Sequence, residues 1–174
     1  METHEMKQII RNALETFDAS VFMLKKKREG LLQSEKMQNV KNNLQIPLKE
    51  HLEQQFQDSY PQLKWIIEKR LDGSNDSVDI YASDSTNWEV IIEIDATRAD
   101  QVAKKIVSRF SHISESRSEN IIYIALCYPG TERMNVNECE KFISYGKKII
   151  KKIHNNAFFF CAFVRDNKIK VQFE

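Results

Sequence analysis

Three acidic residues, Asp79, Glu93 and Asp95, stand in two short segments that read as neighbouring β-strands, Ser77–Tyr81 and Trp88–Asp95. Side chains alternate along a strand, so Glu93 and Asp95 share one face and Ile92 and Ile94 the other. By the same rule Asp79 and Tyr81 point opposite to Val78 and Ile80. If the strands pair, Asp79 approaches Glu93 across a spacing of about 4.8 Å. Two carboxylates about 5 Å apart repel by roughly 3 kcal/mol at an effective dielectric of 20. A bound proton or a cation must offset that repulsion. Hard divalent ions take oxygen ligands, so the cluster is a candidate magnesium site.

The elements that must position these groups follow from periodicity. Apolar residues from Met6 to Leu24 recur at helical spacing and predict one helix over residues 5–29, with Lys25-Lys26-Lys27-Arg28 at its end and Gly30 as cap. Ser34 is placed to cap a second helix with Met37, Val40 and Leu44 inside, and Pro47 to begin a third carrying Leu48, Leu52 and Phe56. Strands are predicted at 63–71, 77–83 and 88–95, with a turn at Asp72-Gly73-Ser74-Asn75. A helix over 97–114 has Ala99, Val102, Ala103, Ile106 and Phe110 on one stripe and Arg98, Gln101, Lys105 and Arg109 on another. The apolar run from Asn120 to Tyr128 predicts a strand buried on both faces. A helix at 136–153 and strands at 157–164 and 168–173 complete the chain. Helices followed by β-β-β-α-β-α-β-β imply a mixed sheet covered on both sides.

Composition narrows the classes. At 174 residues the chain is one domain, or one domain with an appendage; we take 1–46 as an N-terminal helical extension and 47–174 as the α/β domain. Cys127, Cys139 and Cys161 are far apart and lack zinc-ligand spacing, which points to a reducing compartment. The charged start Met1-Glu2-Thr3-His4-Glu5 is unlike a signal peptide, and no apolar run approaches membrane-span length, so a cytoplasmic protein without a membrane is expected. The net charge of +1 hides blocks: seven acidic residues and no Lys or Arg from Asp72 to Asp95, then basic stretches after Thr97 and around Lys147 and Lys151. Acid flanked by basic helices suits a metal-dependent enzyme acting on a polyanion.

The order of elements, with Asp79 and Glu93-Ile94-Asp95 on consecutive strands, resembles the PD-(D/E)xK nuclease superfamily over roughly residues 47–128. The resemblance implies a restriction-endonuclease-like α/β fold, a mixed central sheet with an αβββαβ core. It also implies metal-dependent hydrolysis of DNA, as in a restriction or defence enzyme, with Mg2+ (Mn2+ substituting) held by Asp79, Glu93 and the Ile94 carbonyl. Val78 stands where the motif has proline, and Asp95 replaces the motif lysine, so the missing cation is sought on the next helix, at Arg98 or Lys105. Asp95 is then a base or a further ligand. Gln101, Lys104, Arg109, Lys147 and Lys151 are candidate DNA contacts, and the N-terminal helices either form a homodimer contact or cover the sheet. The competing expectation is a catalytically silent nucleic-acid- or protein-binding module. Carboxylates turned to bulk solvent, or held by internal guanidinium groups, count against hydrolysis.

Overall fold

The computed structural model describes residues 1–26, 32–71, 76–96, 99–129 and 136–173. Helices α1 (Thr3–Thr16), α2 (Ser20–Lys26), α3 (Gln33–Val40) and α4 (Ile46–Phe56) precede strands β1 (Lys64–Arg70), β2 (Ser77–Ser83) and β3 (Trp88–Ala96). Helix α5 (Ala99–Glu115), β4 (Asn120–Tyr128), α6 (Val136–Ile153), β5 (Ala157–Arg165) and β6 (Lys168–Phe173) follow. The six strands form one mixed sheet in sequential order. β1–β2, β2–β3 and β5–β6 pair antiparallel, whereas β3–β4 and β4–β5, whose connections contain α5 and α6, pair parallel.

Each face of the sheet has its own core. On one, Met6, Ile10 and Leu14 of α1 and Leu48, Leu52 and Phe56 of α4 pack with Ile80, Ile92 and Ile124. On the other, Val102, Ile106 and Phe110 of α5 and Ile143 and Ile150 of α6 pack with Ile91, Tyr123 and Phe159. The first helices therefore cover the sheet, sharing one core with its central strands. Trp65, Trp88 and Cys127 are core residues, as their apolar neighbours in sequence imply. No helix among the described residues is long and apolar enough to cross a membrane.

The N-terminal third departs from its predicted form. The helix expected over 5–29 breaks at Phe17, which turns extended (φ −66°, ψ 130°) and buries its ring. Asp18 then bridges to Lys168, and its carboxylate accepts the Ser20 N–H at 2.9 Å, restarting a helix. A local capping group overrode an apolar period that runs straight through it. Residues 27–31, including Lys27, Arg28 and the Gly30 cap, lie outside the described residues. Leu32, not Ser34, precedes α3, and Met37 is 64% exposed and not inward-facing. Pro47 does not start a separate helix. A π-helical turn at Lys41–Gln45 joins α3 to α4 directly. Proline cannot donate to the carbonyl four residues back and crowds it; a widened turn just before it relieves both problems.

Candidate functional site

The β2–β3 ladder runs from Ser83↔Glu89 to Ile80↔Ile92 and stops there. Beyond that point the strands fork at Asp79. Its carboxylate Oδ2 accepts the Ile94 N–H at 2.7 Å, and its own carbonyl accepts the side-chain amide of Gln45 at 2.5 Å. Gln45, from the π-helical turn, is itself buried, so the N-terminal helices fix the backbone of the first acid. Opposite, Glu68 of β1 has a left-handed φ of 53°, and the β1–β2 register passes from Ile67↔Ile80 to Lys69↔Val78. The strict alternation expected for β2 consequently fails. Val78 and Ile80 belong to different cores. The irregularity falls on the residue whose side chain the site uses, which is where backbone strain tends to be found.

The Lys105 ammonium stands at the fork. It donates to Asp79 Oδ2 at 2.8 Å and to the Ile94 carbonyl at 3.1 Å, and lies 3.1 Å from Glu93 Oε2 and 4.0 Å from Asp95 Oδ2. Glu93 is only 2% exposed, whereas Asp79 and Lys105 are more than a quarter exposed, so the cluster has an open side and a dry floor. On that floor the Arg109 guanidinium donates from Nε to Glu93 Oε1 and from a terminal nitrogen to the Ser77 carbonyl at 2.7 Å. Its other terminal nitrogen meets Ser108 Oγ at 2.8 Å and Asp76 at 3.4 Å.

Protonation follows from this arrangement. Burial, reinforced by the Asp79 charge, pushes the Glu93 carboxyl up to about 7 despite Lys105 and Arg109. Burial works against the Lys105 charge, but Asp79, Glu93 and Asp95 together hold its pKa above the ordinary lysine value. The two directions are compatible: three acids share one ammonium, which stays charged, and the most buried acid keeps a proton to near neutrality.

A second polar group lies farther down the same interface. Glu89, also 2% exposed, meets His112 Nε2 at 2.7 Å and accepts the Ser116 hydroxyl at 2.5 Å. Burial works against its ionisation, yet the bonds from His112, Ser116 and Tyr81 and the His112 charge carry its pKa below the usual value. Glu89 lies inside the protein as an anion and is not a solvated strand end. Residues 105, 109, 112 and 116 fall at i, i+4, i+7 and i+11, and 89, 91, 93 and 95 share one face of β3. The helix returns alongside the strand, so an acidic ladder meets a cationic stripe. Lys105 and Arg109 are the first half of that stripe, and the same helical period carries it on to His112 and Ser116. Nothing in the sequence signals Gln45.

The other expected contacts scatter. Gln101 lies one turn before Lys105 and is half-buried, and Lys104 is exposed. Arg109 was expected at a nucleic-acid surface, but it is buried and its guanidinium is engaged inside the protein, so it offers no surface cation. Lys147 and Lys151 line a groove on α6 with Glu140 and Ser144, which shares no residue with the carboxylate cluster. Arg98 lies outside the described residues. No protein-family model matches the chain, and no curated protein matches its sequence.

The donors fit a hard cation. Asp79 Oδ2, Glu93 Oε2 and the Ile94 carbonyl oxygen all lie within 3.1 Å of one point, the Lys105 nitrogen. Glu93 Oε2 is buried without a hydrogen bond and answers only to that charge. Two carboxylates and a carbonyl, completed by water, satisfy magnesium's preference for oxygen. Among the described residues no group of three or more His, Cys, Asp or Glu side chains is placed so that it could hold a metal ion. Lys105 fills the centre, and an ion enters only if that ammonium withdraws.

Proposed function

We propose that the protein is a metal-dependent nuclease that hydrolyses DNA phosphodiester bonds on a restriction-endonuclease-like fold, with Lys105 in place of the lysine that Asp95 displaces from the strand. The sequential β1–β2–β3–β4 order, with α5 between the parallel pair, supports the αβββαβ core. One observation carries the functional reading: the Lys105 ammonium lies among Asp79, Glu93 and the Ile94 carbonyl, at the point where two strands separate.

Asp79, Glu93 and the Ile94 carbonyl would hold the divalent ion. When bound, the ion supplies charge neutralisation at the phosphate and lowers the pKa of water. The chain's own residues do the rest. Arg109 fixes the rotamer of Glu93 from behind, leaving Oε2 toward the open side. Gln45 and the Ile94 N–H hold Asp79. Lys105, freed from the carboxylates, is long enough to meet a phosphate oxygen as charge develops on it. Asp95, 4.0 Å from that ammonium, can accept a proton from an attacking water.

A plasmid-nicking assay in magnesium and in manganese tests this reading. Nicking by the parent protein, lost in Asp79→Ala and Glu93→Ala together with a manganese-dependent rise in melting temperature, supports it. A folded parent that neither nicks nor responds to metal overturns it. A second reading, a silent module on the same fold, is favoured by the internal guanidinium on Glu93 Oε1. It expects binding without nicking. A homodimer cutting both strands belongs to the same proposal and is checked by sedimentation.

A further inference from the structure

β1 and β2 leave part of their α5-side face uncovered. There a cleft of about 440 Å³ opens against the C-terminal end of α5. Lys69, Tyr81 and Ser83 form its sheet side, and His112, Ser116 and Arg117 its helix side. The one acid that lines it among the described residues, Glu89, is 2% exposed and has both oxygens taken by His112 and Ser116. Lys64, at the rim, is occupied by the Pro61 carbonyl at 2.8 Å. Lys69 and Arg117 remain, neither in an ion pair among the described residues. A hydroxyl-lined, net-positive cleft with its one carboxylate sealed behind a histidine is complementary to an anion with several acceptor oxygens.

Its position specifies which anion. Glu89 and Glu93 are four residues apart on β3, about 13 Å. That span is a few nucleotides of a nucleic-acid strand, whose phosphates lie at least about 3.4 Å apart along its axis. We infer that the cleft is a second phosphate site for a DNA strand running along α5 from the carboxylate cluster, with Lys69 and Arg117 as its cations. The choice of DNA as the anion rests on the nuclease reading; the anion-binding character of the cleft does not.

The test is fluorescence anisotropy of labelled single-stranded DNA 12-mers and 3-mers in EDTA, over a range of salt, with the parent, Lys69→Gln/Arg117→Gln, and the charge-matched control Lys148→Gln/Lys152→Gln. For single strands each lost contact flattens the log–log salt slope by about 0.7, so the cleft variant should lose about 1.4 on the 12-mer. The 3-mer, which the cleft alone can hold, should lose slope as well, and the control should keep the parent's slope. An unchanged slope in the cleft variant, an equal loss in the control, or no binding by the parent overturns the inference. Manganese thermal shifts in the same proteins separate the two claims. A flattened slope without any metal response leaves the cleft standing and removes the nuclease, and a metal response with an unchanged slope does the reverse.

Discussion

Replacing Lys105 by methionine keeps most of the stem's volume and removes the one charge shared by Asp79, Glu93 and Asp95. In the parent, the Glu93 carboxyl sits at about 7 in the folded state, above its ordinary value of 4.5. Between those values the folded state keeps a proton that the unfolded chain has released. That contribution is complete below 4.5 and is lost as pH rises through 7. From pH 6 to pH 8 the parent should therefore lose about 1 kcal/mol from this group. Without the ammonium, Glu93 stays protonated beyond pH 8 and the full slope of about 1.4 kcal/mol per pH unit applies, roughly 3 kcal/mol over the interval. The gap between Lys105→Met and parent should widen by about 1 to 2 kcal/mol from pH 6 to pH 8, and comparing the two proteins cancels the histidines. Urea unfolding at both pH values measures it. If manganese takes the vacated position, it should stabilise Lys105→Met more than the parent. Parallel stability curves at pH 6 and pH 8 would refute the idea that Lys105 is the counter-charge of Glu93.

Manganese affinity should fall up to about tenfold per pH unit below 7 and level off above it, because Glu93 must shed its proton before it can ligate; calorimetry reads this directly. Glu89→Gln weakens the charge-assisted contact to His112 and should cost about 2 kcal/mol at pH 7. Because the Glu89 pKa is lowered on folding, its contribution is present above the unfolded value and lost as pH falls through the folded one, so that deficit should shrink in acid; denaturant titrations at pH 7 and in acid check it. Gly146→Ala would put a Cβ 2.9 Å from Phe159 Cε2 and 3.3 Å from Ile106 Cδ1. Overpacking of about 1–3 kcal/mol exceeds the helix-propensity gain of about 1, so a net loss of about 1 kcal/mol is expected by thermal melting. Deleting residues 1–46 removes Met6, Ile10, Leu14 and Gln45 from the core and from Asp79, and should abolish cooperative unfolding; a truncated protein that still melts sharply would make that segment a true appendage.

The strand and helix pattern from Lys64 onward was legible because each element there has a single burial rule. β4 is apolar throughout and buried on both faces, β2 alternates from Ile80 onward and departs only at Asp79, and α5 repeats at helical spacing. The first helices were not, because two short-range preferences cut across a continuous apolar period: Asp18 capping Ser20, and Pro47 accommodated by a π turn rather than a helix start. The site divides the same way. Asp79 and Glu93 could be found from the strand rule alone, whereas Ile94 and Lys105 entered through the family resemblance, with Lys105 placed on its stripe by the helix rule. Gln45 and the buried state of Arg109 depend on how a distant helix and the sheet meet, which no local rule contains.

The interface between α5 and β3 connects these observations. A helix running back along the strand before it presents about 1.5 Å per residue against about 3.3 Å for the strand. Seven helical residues, Lys105 to His112, thus cover nearly the same span as four strand residues, Glu93 to Glu89. Apolar residues at those positions would bury as well, and replacing buried ion pairs by such residues is often stabilising. Packing therefore does not require carboxylates at 89, 93 and 95. At the lower end the Glu89 carboxylate is closed by His112 and Ser116. At the upper end Asp79, Glu93 and Asp95 face one lysine with a side open to solvent. The lower end is thus a closed structural seam, whereas at the upper end Asp79 and Lys105 keep a side open to solvent, and there the proposed metal site stands or falls on whether the ammonium yields to an ion.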